Sequence, residues 1–506
     1  MQSRGRAAGR PLKTREGKAL SVSETIPGDS PEYGADFHRG FTGLEQEYAG
    51  WVETVNGRIP ADLTGTFFRN GPGTMEMGGR QYGHWFDGPG MISAVTFADG
   101  RAHFRNRYVR TRKYVEERKS NRILYRGFGT QLDGGLPANF LRPLSNPANT
   151  NVYWHANKLC AFYEASQPYR LDPATLETEG VELYDGGLNS MKTMSAHGKI
   201  NYRTGHFINF GVNVAGLGLK GLKFALDLYD ISPQGRIASS CRIPLAHFPF
   251  VHDFGVTENY ALFLVSSITM GVAGPLFGTR AVSEAAEYRM NRPVQGIIVD
   301  LRKMQVVRRF ELPPALIVHF GNSYEHGDEL VTSFIRSTDL GNFTALKNVF
   351  GLERMLGAPL FQYRINVRTG AVSHEEFFHA PPGEFPTWDT RRTCYPSRWV
   401  YYVAPVDNGT PYFFNAIVKL DTDTGRFQAR DFGAHRYTSE ALFAPRSGGC
   451  SEDDGYLLSF VYDATVHRTE IVILDARDLE REIAAVKLSH HVPFGFHGHF
   501  TDRVFI

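Results

Sequence analysis

The chain has 506 residues, with 55 Lys+Arg against 53 Asp+Glu and a formal net charge of +2. That balance leaves no basic footprint for a nucleic-acid partner and no funnel for an acidic substrate. A hydrophobic fraction of 42% is ample for a core, and 52 Gly, 27 Pro and 13% aromatics favour many turns and short strands, hence a β architecture.

In chain order, Met1 to about Lys18 is rich in Arg and Gly with one acid, Glu16, and has the composition of a disordered arm. Periodicity is absent up to about Gly40, so residues 1–40 read as an arm or wrap. The arm also suits a short plastid-type transit peptide. No secretory signal is visible, and no uncharged apolar run reaches the about 20 residues of a membrane span. The expected location is therefore the cytoplasm or a membrane surface. No low-complexity linker divides the rest, which predicts one domain over 41–506.

From Trp51 onwards the chain is a succession of short strand-type runs: Arg107–Thr111, Asn151–Trp154, Leu159–Tyr163, Tyr260–Val265 and Trp399–Val403. Helical periods are rare, the best being Ser283 to Met290. One pattern recurs, an apolar strand ending in an Asp or Asn turn that leads into a second strand. It stands at Asp172, Asp300, Asn366, Asp421 and Asp475. In the C-terminal half these turns lie roughly 50 to 65 residues apart, the spacing of propeller blades with inserted loops. Two stretches, Val212–Phe224 with only lysines for charge and Ile268–Gly278 with no charge, predict an apolar rim that touches a membrane and admits a lipid-like substrate. The four cysteines (Cys160, Cys241, Cys394, Cys450) show no CxxC spacing and read as reduced thiols.

Four of the 18 histidines, His197, His252, His319 and His497, each have a Gly within three residues and lie beside a strand-type run. Inner propeller strands can present one imidazole per blade to the axis, and imidazole suits a borderline metal. Four neutral ligands leave the ionic charge uncompensated, so carboxylates should accept from the outer ring N–H groups. Spacing alone does not choose His497 over His499, His490 or His491, nor does it secure iron.

Several motifs resemble the carotenoid cleavage oxygenase family, the non-haem iron dioxygenases that split a double bond of a polyene or stilbene. They are Phe68–Gly73 (FRNGPG), His84–Gly88 (HWFDG), Arg105–Thr111 and Leu124–Thr130, and the last two look most like the apocarotenoid oxygenases. The resemblance implies a seven-bladed β-propeller under a dome of loops and short helices, with Fe(II) on the axis, O2 as co-substrate, and a monomer. It implies that His197, His252, His319 and His497 hold the iron, the last because Gly495-Phe496-His497-Gly498 matches the family's Gly-Phe-His-Gly. Glu164, Glu384 and Glu440 match the carboxylates behind the ligands, and Thr150 matches a threonine beside the vacant coordination position. Pro89 and Tyr163 depart from the pattern, where the family has Asp and commonly Trp. The implied function is Fe(II)-dependent cleavage of an apocarotenoid C=C bond into two carbonyl products, centrally at 15,15′ to give retinal. The alternatives are a stilbene-cleaving dioxygenase, which needs a Lys/Tyr pair for a phenolate, and a metal-free propeller used as a binding scaffold.

Overall fold

The computed structural model describes residue 36 and residues 38–506, apart from 165, 190–191, 219–220, 290, 340, 348–354, 378 and 407–412. Most of the expected arm therefore lies outside the described residues. Seven antiparallel sheets of four to six strands make a seven-bladed propeller. Blade 1 holds Gly65–Pro72, Gly90–Ala98 and Arg101–Tyr108. Blades 2 to 7 follow in chain order with inner strands Asn151–His155, Lys199–Asn201, Gly255–Val256, Leu316–His326, Glu384–Thr387 and Arg436–Thr438.

Burial on both faces explains the unbroken apolar runs. Successive strand residues point to opposite faces. In Tyr260–Val265 of blade 4, Ala261 and Phe263 pack against blade 3, while Leu262 and Leu264 pack against blade 5. In Trp399–Ala404 of blade 6, Val400 and Tyr402 face blade 5, and Tyr401 and Val403 face blade 7. Apolar clusters of this kind fill all seven seams between neighbouring blades.

Each recurrent Asp or Asn turn joins the third and fourth strands of a blade. The carboxylate or amide oxygen caps its own turn: Asp172 Oδ1 accepts from the backbone of Ala174 and Thr175, and Asn366 Oδ1 from that of Arg368 and Thr369.

Both ends of the described chain close the ring. Gly498–Thr501 pairs antiparallel with Gly65–Pro72 as the innermost strand of blade 1. Val55–Gly57 pairs with Asp478–Lys487 on the outer edge of blade 7. The stretch His491–Thr501, so near the end of the chain where fraying is ordinary, is thereby largely buried.

Two local expectations need correction. Ser283–Ala285 is a 3-10 turn followed by the strand Ala286–Tyr288, which pairs with Ile268–Met270, so no α-helix forms there; too few apolar repeats exist to bury a helical face. The alternating run at Arg107 stops at Tyr108, because Thr111 Oγ1 accepts from Tyr114 N and caps the helix Arg112–Ser120.

Candidate metal centre

The four histidines reach one point because each sits at or near the start of an inner strand. His197 precedes the inner strand of blade 3, His252 that of blade 4, and His497 the closing strand of blade 1. His319 lies inside the inner strand of blade 5, where the pairing register shifts between Ile317 and Phe320. The four candidate ligand atoms all lie within 4.8 Å of one another. His197 Nε2 and His252 Nε2 stand 2.9 Å apart, and His319 Nε2 is buried with no hydrogen-bond partner. Nitrogen lone pairs crowded in this way fit a cation between them.

The three remaining blades supply carboxylates. Glu164, just past the second strand of blade 2, has Oε1 at 3.1 Å from His252 Nδ1. Glu384, the first residue of blade 6, accepts from His319 Nδ1 at 2.7 Å. Glu440 of blade 7 accepts from His497 Nδ1 at 2.8 Å and from the Gly498 N–H at 2.8 Å. A proton held at Nδ1 leaves Nε2 as the free donor, so each carboxylate fixes a tautomer. His197 differs, with its Nδ1 3.9 Å from Asp253 Oδ2. Asp253 is already engaged, accepting from Lys199 Nζ at 2.7 Å and from Phe320 N at 2.8 Å.

Burial and then the neighbouring imidazoles hold His197 and His497 well below the ordinary histidine range. Burial also pulls His252 down, but the carboxylates around it, Glu164 first and then Asp253 and Glu384, together outweigh it and the net shift is upward. Burial pushes Glu440 up to about 7 against the pull of the Gly498 N–H and Arg69. At neutral pH two of the four rings are thus firmly neutral, as ligation requires.

The main chain of His497 is clamped by the first motif. Asn70 N donates to His497 O at 2.8 Å, and His497 N donates to Thr150 O at 3.1 Å. A Cβ on Gly71 would stand 2.3 Å from Gly495 Cα, so only glycine lets these two backbones pass. The Thr150 hydroxyl donates to Asn149 Oδ1 at 3.1 Å, and the residue lines a cavity beside the histidines.

That cavity measures about 280 Å³ and touches His252, His319 and His497. Its walls are chiefly aromatic and aliphatic, among them Trp85, Phe128, Phe250, Met270 and Phe414, and no lysine lines it among the described residues. The Asp87 carboxylate holds the loop bearing Phe128 through Gly129 N and Thr130 Oγ1 at 3.0 and 2.7 Å, and a Cβ on Gly127 would stand 2.3 Å from that carboxyl carbon. Tyr163 lines the cavity, and its hydroxyl makes no hydrogen bond among the described residues; Pro89 does not line it. Sequence reasoning missed Phe385, whose ring lies 5.2 Å from His319 and 5.0 Å from His497. Its φ of 57° is costly for a bulky side chain, about 1–3 kcal/mol, and marks a position held in place by its surroundings. That reasoning also missed Asp253. A carboxylate next to a candidate ligand was the available signal.

The family model described as retinal pigment epithelial membrane protein matches residues 41–502. The chain belongs to the carotenoid cleavage oxygenase family. It is 35% identical to the apocarotenoid-15,15′-oxygenase of Synechocystis sp. over 92% of this chain and 96% of that relative. It is 29% identical to the lignostilbene-alpha,beta-dioxygenase isozyme III of Sphingomonas paucimobilis, over 88% and 93%. Among solved structures, cobalt-substituted Synechocystis apocarotenoid oxygenase superposes with a TM-score of 0.84 at 33% identity, covering 92% of this chain and 98% of that one. This carotenoid cleavage oxygenase is accordingly an enzyme of the dioxygenase class. Among its described residues no helix is long and apolar enough to cross a membrane.

Proposed function

We propose that this carotenoid cleavage oxygenase holds Fe(II) on His197, His252, His319 and His497 and uses O2 to cleave a C=C bond of an apocarotenoid, centrally at 15,15′ to give retinal. The carrying observation is the set of crowded imidazole nitrogens at one wall of an apolar cavity with no lysine among its described lining residues. Bound iron would supply the binding and activation of O2. The residues do the rest: Glu164, Glu384 and Glu440 hold protons at Nδ1, Thr150 keeps a methyl beside the ligands, and the aromatic walls align a polyene and exclude water. No side chain has to donate or accept a proton during cleavage.

A stilbene is the second reading, favoured by the unpaired Tyr163 hydroxyl in the cavity and by the likeness to a lignostilbene dioxygenase. A phenol end needs buried polar partners, and the absence of a lysine among the described lining residues weighs against it. Aerobic incubation of iron-loaded protein with apocarotenals and hydroxystilbenes, with products identified by mass, tests both. Retinal and related carbonyls should form fastest. Faster formation of phenolic aldehydes overturns the apocarotenoid assignment.

Substrate is taken to enter from a membrane surface. Leu217 at the tip of the blade 3 hairpin is 80% exposed, and Phe277 is 47% exposed with its ring stacked 6.0 Å from that of Phe140. Arg126 fastens this second patch by donating to the carbonyls of Asn139, Arg142 and Pro275. Val212 and Met270 carry both apolar stretches down to the cavity wall.

A further inference from the structure

Two cavities flank the four histidines. The apolar one touches His252, His319 and His497; a second, of about 100 Å³, touches His197, His319 and His497 from the other side. Phe385 lines both and stands between them. Resting on the reading above that these histidines bind a divalent metal, we propose that the second cavity is the route by which a hydrated metal ion reaches them, with His499 as a donor on the way.

The chemistry of the two walls differs in the sense that matters to a dication. An aromatic and aliphatic passage would strip water from the ion with nothing to replace it, which is prohibitively costly. The second cavity also has apolar lining, Trp388 among it, but Asn151, Tyr153, Tyr202, Thr390 and His499 add oxygen and nitrogen donors along it. One water position needs about 10–15 Å³, so this volume holds an ion with several waters. The cavity reaches solvent at Tyr202, which is 42% exposed and still lines it. Lys199 also lines it, but its ammonium lies 2.7 Å from Asp253 Oδ1, so its charge is neutralised locally.

His499 is the unexplained group. It is buried, its ring lies 5.8 Å from that of Tyr153, and its nitrogens make no hydrogen bond among the described residues. As the residue lines the cavity, those nitrogens are open to an ion or water within it. In extended chain, residues two apart share a face about 7 Å from each other, one short step for an ion passing from His499 to His497.

The test uses full-length protein stripped of metal by chelation, with Co2+ as the probe and its ligand-field absorbance followed by stopped flow. His499→Leu should slow uptake roughly tenfold, about 1.4 kcal/mol on the barrier, at an unchanged final cobalt content. His499→Gln, which keeps a donor, should restore the rate. Tyr202→Ala at the mouth should speed uptake, and filling the apolar cavity with a long-chain alcohol should leave it unchanged. Wild-type rates in both His499→Leu and Tyr202→Ala overturn the route, as does slowing by the alcohol alone. If His499→Leu fails to fold, Tyr202→Ala decides. A wild-type chain that takes up no cobalt at all overturns the metal reading itself.

Discussion

Glu384 opens its blade with a carboxylate whose partner is a single imidazole nitrogen and its own neighbour's N–H. Glu384→Gln keeps the shape but can no longer hold His319 Nδ1–H with a charge. Metal affinity should fall about 10–100-fold while the melting temperature of the metal-free protein stays put; competition with a calibrated chelator reads the first and calorimetry the second. Wild-type affinity would remove Glu384 from the ligand set's support. At this scale the sequence was most legible where a residue type is chemically demanding. Four histidines beside glycines could be picked out because imidazole, glycine and strand run coincide. The three glutamates had no such local mark, and only the motif resemblance pointed to them. Phe385 stayed hidden because its position follows from packing across blades, whereas Asp253 carried a local mark, a carboxylate beside His252, that went unused.

Strands and turns follow simple rules in this chain, which is why many of them could be read directly. An Asp or Asn that caps its own turn ends a strand wherever it occurs, and a run buried on two faces is apolar throughout. The misreadings came from short segments. Eight residues at Ser283–Met290 cannot show a helical face clearly, and the capping Thr111 looked like one more strand residue. Helix Gly135–Asn139 and the exposed Phe140 and Leu141 after it also escaped notice, since they join Leu276 and Phe277 only in three dimensions. These elements carry the membrane prediction. Each exposed Leu or Phe buried in a bilayer contributes about 1.5–3 kcal/mol, so replacing Leu217, Leu222, Phe140 and Phe277 with Ser should abolish co-sedimentation with liposomes. A wild-type chain that never co-sediments would refute the idea outright.

For the molecule as a whole, the decisive contact joins Thr66 to Thr501. No local pattern could announce it, because nothing in either segment names its partner, and pairing across so long a loop is governed by topology. Removing Phe496–Ile506 takes away the inner strand of blade 1 and His497 together. The truncated chain should bind no metal and melt earlier and more broadly in calorimetry. Full-length His497→Ala, by contrast, should lose metal yet keep a sharp transition. In the intact protein, metal at 100 times its dissociation constant should add about 2.7 kcal/mol. A truncated chain that melts like the full-length one would show that the latch is dispensable.

The closing strand also sets an order of events during synthesis. While the last few residues are still inside the ribosome, six blades and most of the seventh can already have formed, but the ring has no clasp and the fourth imidazole is absent. A site of four imidazoles is therefore complete only once His497 has emerged, and a message cut short before that codon yields a chain that lacks one of them. Metal occupancy would thus double as a check that translation passed through the closing strand.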